Sequence, residues 1–407
     1  MNVLIICHVF PPEHAPAGVN AMELAEDLAA AGHDVSVMTG WPSHPDGPLY
    51  PGWRAKFRHV ERTARGYRLI RCRHSFHARH SMFWKMWYYL TFAVTTFLAV
   101  LFESRYDVIC GDTTPVFGPI SCLLAARLKR SRFVYKIDDV HPEAARNAGM
   151  LTEGLTYRML RGLDAWICRR SDAVLCLTPA MRQLVLDRPV PAGKVHVASQ
   201  WLDGSKIVPS DRLNAWRGEQ AIPNDCFVVL NAGTIGYISG ATIVVEAAKR
   251  LQSRKDILFL LVGAGPLKEP CEQLARDYGL TNVRFLPFQP AQSLCQMQAC
   301  GDVGLVTLLP QCGESSIPSK MHGYTAAGRP VIASVDADAP TALLLQQYQC
   351  GLIVPPQDAD ALAGAIAQLA DDREQARRLG GRARQLFMDV FDRKAATKFI
   401  ETMLAGQ

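Results

Sequence analysis

The chain has 407 residues, which at ~100 to 200 residues per domain makes two or three domains, each with its own core, and excludes a single small module. Hydrophobic residues are 49% and charged residues 20%, ordinary values for a globular protein, so a long disordered tail is excluded too. Against 38 acidic residues stand 44 Lys and Arg, and the net charge of +6 is too small for this length to argue for a nucleic-acid binder.

Short apolar runs alternate with helical patterns along nearly the whole chain, the pattern of βαβ units and parallel sheets. Val3–Cys7 reads as a buried strand, Ala21–His33 as a helix closed by Gly32, and Asp34–Thr39 as the second strand. MNVLIICHVFPPE shows neither a basic n-region nor a small-residue cleavage site, so no secretory signal is expected. The twelve cysteines stand singly, without a CxxC pair, as reduced buried cysteines do, and a cytosolic compartment is the expectation.

From Trp53 to His80 the charge is concentrated. Arg54, Lys56, Arg58, Arg62, Arg65, Arg68, Arg71, Arg73 and Arg79 face Glu61 alone, so this stretch carries +8 and the rest of the chain about −2. A run without charge follows, Met86–Phe102, at the lower edge of a membrane span. A span would put the strands at Val3 and Asp107 on opposite sides of a bilayer, although the pattern needs both in one sheet. The expectation is a helix partly in the core and partly docked on an anionic membrane surface, with the arginines on headgroups and Trp84, Trp87, Tyr88 and Tyr89 at the interface. His74, His77 and His80 are three apart, but nothing nearby completes a zinc site, and no metal is expected.

Further strands are expected at Asp107–Cys110, Phe133–Ile137, Ala173–Thr178 and Lys194–Ser199. Trp201–Asn224 is irregular, with Pro209 and Pro223, and is the expected domain joint: residues 1–205 form a first domain and 206–390 a second. The second restarts at Phe227–Gly233 and continues through ILFLLVG, NVRFLPF, VGLVTL and PVIASV to GLIVPP. Two doubly wound domains would bind ligands at the carboxyl ends of their sheets, in a cleft between them.

The first strand is not followed by GxGxxG, which argues against a nicotinamide or flavin oxidoreductase. Its loop, HVFPPEHAPAGVN, still has site features: Pro11 and Pro12 stiffen it, and Gly18 would let a ligand approach a helix start. NAGTIGYISG, Asn231–Gly240, places Gly233, Gly236 and Gly240 ahead of a helix, an arrangement suited to a diphosphate. In GESSIPSKMHGYTAAGRPVIAS, Ser319 is a candidate helix cap and Lys320 stands in the first turn, where a cation opposes the helix dipole and would welcome an anionic partner.

The motifs HVFPPEHAPAG, WPSHPDGPLYPGW, KIDDVHPEA, SQWLD, NAGTIG, VGAGP and PSKMHGYTAAGRPVIA, in this order, resemble retaining glycosyltransferases of family 4 with the GT-B fold, most of all the branch that assembles capsule, colanic-acid and O-antigen repeat units. The resemblance implies an α/β fold of two Rossmann-like domains, the second holding a nucleotide-sugar donor and the first an acceptor that is often lipid-linked. A final helix near Phe391–Leu404 would cross back to the first domain, giving a last segment of 391–407. It implies no metal and no cofactor besides the donor, and a diphosphate held by Gly233, Thr234, Gly236 and Lys320, with Ser319 beside it, Gly265 of the VGAGP turn and Phe288 of the 285–289 loop toward the nucleotide. Glu13, His14 and Gly18 would face the acceptor, and Asp139 or His141 would orient acceptor or sugar.

Three departures from the family pattern stand out. Where the family commonly has a lysine before the helix-opening glycine, this chain has Ile238. Where the second glutamate of a Glu-x7-Glu pair would bond the ribose, it has Gly323, which leaves Glu314, shifted by one residue from Ser315, as the candidate for donor-sugar hydroxyls. Near the usual active-site histidine stand Asp138 and Asp139, with His141 displaced by a few positions. The expected function is retaining transfer of a sugar to a polyprenyl-diphosphate-linked saccharide at the cytoplasmic face of the inner membrane. A catalytically degenerate GT-B binding subunit and a GT-B sugar-nucleotide epimerase are the alternatives.

Overall fold

The computed structural model describes residues 1–407 apart from 14, 80, 114–116, 148–150 and 314–316, and only the backbone of residue 147. The chain divides into two compact units, Met1–Gln200 with Ala396–Gln407, and Trp201–Ala395.

The first unit is built on an eight-stranded sheet of β1 (Asn2–Ile6), β2 (Asp34–Gly40), β3 (Arg58–Arg62), β4 (Arg68–Cys72), β5 (Val108–Gly111), β6 (Arg132–Ile137), β7 (Ala173–Cys176) and β8 (Val195–Val197), in the order β3-β4-β2-β1-β5-β6-β7-β8. All pairings are parallel except β3 with β4. Strand β1 lies between two parallel neighbours, Val3 opposite both Val35 and Val108, which is why NVLII is apolar without alternation. The helix Pro16–Ala30 starts earlier than its apolar pattern suggests because Pro16 pre-sets the first turn, and it ends where Gly32 takes φ +88°. In the C-terminal helix Arg393–Ala405, Thr397 donates to Asp27 at 2.9 Å and Glu401 pairs with His33 at 2.9 Å, which ties its end to the first unit.

Strands β3 and β4 fall in the basic stretch, where no strand is expected from the sequence. Charge hid their period, because several of those arginines point inward. Arg71 is 3% exposed and donates to the carbonyls of Gly40 (3.1 Å) and Pro11 (2.7 Å). Arg58 and Arg68 converge on buried Glu103, which also accepts from the Tyr106 hydroxyl at 3.1 Å. Burial alone would raise the Glu103 pKa, but the two guanidiniums outweigh it and hold the carboxyl below its usual range. Arg65 pairs with Glu26. The uncharged run forms the helix Met82–Leu101, and no helix among the described residues is long and apolar enough to cross a membrane. Of the expected interfacial aromatics only Trp87 is exposed. Tyr88 is buried, with its hydroxyl on the His8 carbonyl at 3.0 Å, Tyr89 is half-buried, and Trp84 stacks on His77 at 4.0 Å. His74 is buried between the carbonyls of Ser75 and Trp41.

The second unit carries β9 (Phe227–Ala232), β10 (Ile257–Val262), β11 (Val283–Leu286), β12 (Val303–Thr307), β13 (Val331–Ser334) and β14 (Gly351–Val354), all parallel, in the order β11-β10-β9-β12-β13-β14. Both faces are buried. Leu230, Leu260 and Val306 join one core, and their neighbours Val229, Phe259 and Leu305 join the other, the period of two expected of a sheet covered on both sides. Tyr324, from the helix Lys320–Ala326, fills the space above Gly304 in β12, where an added Cβ would lie 2.2 Å from the ring, and its hydroxyl accepts the Ala232 N–H at 2.8 Å.

Gly304→Ala should therefore displace the Tyr324 ring and lower the stability of the second unit by about 1–3 kcal/mol, typical of overpacking a filled core. The expected result is an earlier transition in thermal melts followed by circular dichroism; an unchanged melt would mean that the ring over Gly304 can yield.

Candidate active site

The strand order of the second unit reverses between β9 and β12, the switch point where open α/β sheets bind ligands. Past the end of β9, Gly233 takes φ +134° and packs on a second glycine turn after β10. A Cβ at Gly263 would lie 1.9 Å from the Gly233 oxygen, and one at Gly265 would lie 2.4 Å from the Ile235 oxygen, so neither position has room for a side chain. The turns are also laced together: Gly233 N–H donates to Val262 at 2.8 Å and Ile235 N–H to Ala264 at 2.9 Å. The Gly233 amide is thus not free for an anion, contrary to the sequence expectation. The amides of Thr234 and Gly236 have no backbone partner among the described residues.

Lys320 stands over this turn. Its Nζ donates to Asn231 Oδ1 at 2.7 Å, and its Cε lies 3.6 Å from where a Gly233 Cβ would be. Desolvation lowers its pKa to about 8, and among the described residues no carboxylate forms an ion pair with it. A cation held in that way is a candidate receptor for an anion brought by a ligand. Ser319 occupies the cap position of the helix, but its side chain makes no capping bond. Phe288 and Ile238 are exposed, and Gly323 is buried against Gln298, whose Nε2 would be 2.8 Å from an added Cβ. A side chain at Gly323 would require Gln298 to move aside, and Glu314 lies outside the described residues, as does His14 of the first unit.

In the first unit the order reverses between β1 and β5, and His8 and Asp112 follow these two strands directly. Asp112 Oδ2 accepts from the His8 backbone N–H at 3.1 Å and meets its ring Nδ1 at 2.9 Å. Burial pushes the His8 ring toward neutrality, but the Asp112 charge and hydrogen bond outweigh it, and the net shift is upward. His8 lines a pocket of about 570 Å³ together with Lys85, Tyr89, Asp139, His141 and the apolar side chains of the helix Leu155–Arg170. Asp139 is exposed, and burial lowers the pKa of His141. Buried Arg188 holds the His141 carbonyl at 3.0 Å while pairing with Glu143 and Asp164.

Two expected acceptor ligands have other duties. The Glu13 carboxylate, 3% exposed, accepts the backbone N–H groups of Ser43 (2.8 Å), His44 (2.8 Å) and Phe10 (3.0 Å) and so ties two loops together. A Cβ at Gly18 would meet the Val9 oxygen at 2.9 Å, so this glycine lets the helix sit against its own loop rather than admit a ligand. His8 and Asp112 were not singled out from the sequence, although each stands within two residues of the end of a predicted strand.

Two Rossmann-like parallel-sheet units, with a glycine turn and a desolvated lysine at the switch point of the second, define a GT-B glycosyltransferase. Residues 17–201 match the family model described as a glycosyl transferase 4-like domain, residues 226–372 match that of glycosyl transferases group 1, and the protein belongs to this glycosyltransferase family. The chain is similar to a protein of Escherichia coli K12 named for a colanic acid biosynthesis glycosyl transferase, WcaI, 26% identical over 90% of this chain and 92% of that one. It is similar also to O-antigen chain mannosyltransferase C of Escherichia coli, 28% identical over 45% of this chain and 46% of that one. Among solved structures, Anabaena HepE in complex with UDP shares the fold with a TM-score of 0.73 at 14% identity, covering 100% of both chains.

The lowered pKa of Lys320 gives a signed prediction. In the empty protein the ammonium loses its proton as pH rises through about 8, so the affinity for inorganic diphosphate should fall about tenfold between pH 7 and pH 9. Lys320→Arg, charged throughout, should bind without that decline. Calorimetric titration at the two pH values checks both.

Proposed function

We propose that this glycosyltransferase moves a sugar from a nucleoside-diphosphate sugar to a lipid-linked saccharide, of the polyprenyl-diphosphate type, during assembly of a surface polysaccharide. The observation that carries the reading is Lys320: a desolvated ammonium without a carboxylate partner among the described residues, set over paired glycine turns at the sheet's switch point. The relatives named for colanic-acid and O-antigen synthesis, and the UDP complex of a protein with the same fold, favour this substrate class.

In this mechanism Lys320 and the amides of Thr234 and Gly236 stabilise the negative charge that grows on the diphosphate as the glycosidic bond lengthens, the kind of preorganised electrostatic term that dominates many enzymes. The acceptor hydroxyl attacks the anomeric carbon on the face the diphosphate leaves, its proton passes to the departing phosphate oxygen, and the configuration is retained. Neither a protein nucleophile nor a metal takes part.

The proposed site of action is the cytoplasmic face of the inner membrane. Along the helix Met82–Leu101, Phe83, Trp87, Val94, Leu98 and Leu101 are exposed at helical spacing, with Phe83 at 66%. Arg54, Lys56 and Arg73 are exposed as well, unlike Arg58, Arg68 and Arg71, which are held within the fold. Apolar and aromatic side chains beside uncommitted cations suit an anionic lipid surface.

A binding-only protein is the second reading, favoured by exposed Ile238 and by Gly323, which supplies no carboxylate. Donor turnover decides between them. Thermal shifts with UDP, GDP, dTDP, ADP and CMP should single out one nucleoside diphosphate, and Lys320→Ala should lower transfer about 100-fold or more with an unchanged circular dichroism spectrum. Wild-type rates in that variant would remove the diphosphate assignment. In co-sedimentation, Phe83→Ser with Trp87→Ser, or Arg73→Glu, should release the protein from vesicles containing phosphatidylglycerol; retained binding would refute membrane docking.

A further inference from the structure

We infer that the His8–Asp112 pair is the acceptor-holding element of the first unit: Asp112 fixes the imidazole through Nδ1, and Nε2 hydrogen-bonds a hydroxyl of a saccharide whose apolar aglycone lies along the pocket wall. The inference rests on the transferase reading and names the group that grips its acceptor.

The backbone brings the two residues together. Strands β1 and β5 are adjacent and parallel, with Ile6 opposite Gly111, so the residues just beyond them meet at the carboxyl edge of the sheet where the strand order reverses. The ring is held from several sides. One oxygen of Asp112 bonds both the backbone and the ring of His8, the Tyr88 hydroxyl holds the His8 carbonyl at 3.0 Å, and the Tyr89 ring stands edge-on at 6.0 Å. A carboxylate on Nδ1 selects the tautomer and aims the opposite nitrogen. That nitrogen, Nε2, has no partner among the described residues, while the side chain stays 21% exposed and lines the pocket. A histidine needed only for packing would have no use for a buried carboxylate dedicated to its orientation.

The pocket's chemistry indicates the ligand class. Leu160, Leu163 and Ile167 supply an apolar wall, and His8, Asp139 and His141 supply polar groups. An aspartate carboxylate accepts from sugar hydroxyls, a histidine ring nitrogen donates to them or accepts from them, and an aliphatic wall suits a hydrocarbon aglycone. The carboxylate of Asp164, which also lines the pocket, is already paired with Arg188.

The test uses the full-length protein and octyl β-glucoside, a glycoside with an apolar aglycone. The His8 Cε1–H resonance, assigned by its loss in His8→Gln, should shift saturably below about 10 mM ligand and should not shift with octanol alone. In transfer assays with the donor found by the nucleotide panel and octyl glycosides as acceptors, His8→Ala should raise the acceptor KM about tenfold, the loss of roughly one hydrogen bond, while the donor KM stays put. Asp112→Asn should act in the same direction, and His8→Gln, which keeps a hydrogen-bonding side chain, should restore part of the loss relative to His8→Ala. An unmoved resonance, or a fall in kcat at constant acceptor KM, overturns the inference. A saturable shift in a protein that turns over no donor would leave the glycoside site standing and remove the transferase reading, so the two fail separately.

Discussion

The second unit depends on one buried hydroxyl. Tyr324 has no exposed surface, its ring covers Gly304 in β12, and its oxygen takes the N–H of Ala232, the last residue of β9. The bond joins the short helix Lys320–Ala326 to the strand end from which the glycine turn departs. Lys320 lies about one turn before Tyr324, so the contact that seats the tyrosine also sets the ammonium over Asn231. Taking an ammonium out of water is unfavourable, which is why its pKa falls, and the packing of Tyr324 against the sheet is what holds it there.

The first unit uses polar networks for the same purpose, holding loops at the carboxyl ends of strands. Glu13 joins the loop after β1 to the loop after β2 through three backbone amides. Arg188 joins the segment after β6 to the helix Leu155–Arg170 by bonding the His141 carbonyl, Glu143 and Asp164. Neither carboxylates nor guanidinium could be left unpaired at such burial, so these contacts fix the loops more tightly than apolar packing alone. The helix Met82–Leu101 carries two surfaces at once. Lys85, Met86 and Tyr89 line the pocket that holds His8, whereas Phe83, Trp87 and Val94 are exposed, so an attachment through the exposed face would hold the pocket wall itself.

Much of this was legible beforehand, for identifiable reasons. Each strand expected from an apolar run exists within two residues of its expected ends, because parallel strands covered on both faces must be apolar throughout. β3 and β4 escaped because RHVER and RLIRC carry charges whose destinations are tertiary: Glu103 lies 31 residues beyond Cys72, and the carbonyls that receive Arg71 belong to Gly40 at the end of β2 and to Pro11 in the loop after β1. Lys320 was legible as a cation in an unfavourable position. Glu13 and Gly18 were assigned to a ligand because a sequence does not say whether the protein fills the space around a residue with its own backbone, as it does at both. His8 and Asp112 were overlooked since a histidine and an aspartate more than a hundred residues apart acquire meaning only once β1 and β5 are neighbours.

The departures at Ile238 and Gly323 bear on how the donor half can work. Ile238 places an exposed hydrocarbon where relatives commonly carry a second cation, and Gln298 occupies the space beside Gly323 where a ribose-binding carboxylate would stand. With fewer charged groups at these two positions, the proposed leaving-group stabilisation would fall more on Lys320 and on the two amides of Thr234 and Gly236. Backbone amides cannot change charge with pH, and their position is set by the interlocked glycine turns, whereas the lysine is charged only below about pH 8 in the empty protein. A bound diphosphate would reverse that balance, since an adjacent anion favours the ammonium. On the proposed reading ligand and cation would stabilise each other: the nucleotide would supply a counter-charge that the described residues do not, and the lysine would become fully charged with the leaving group in place.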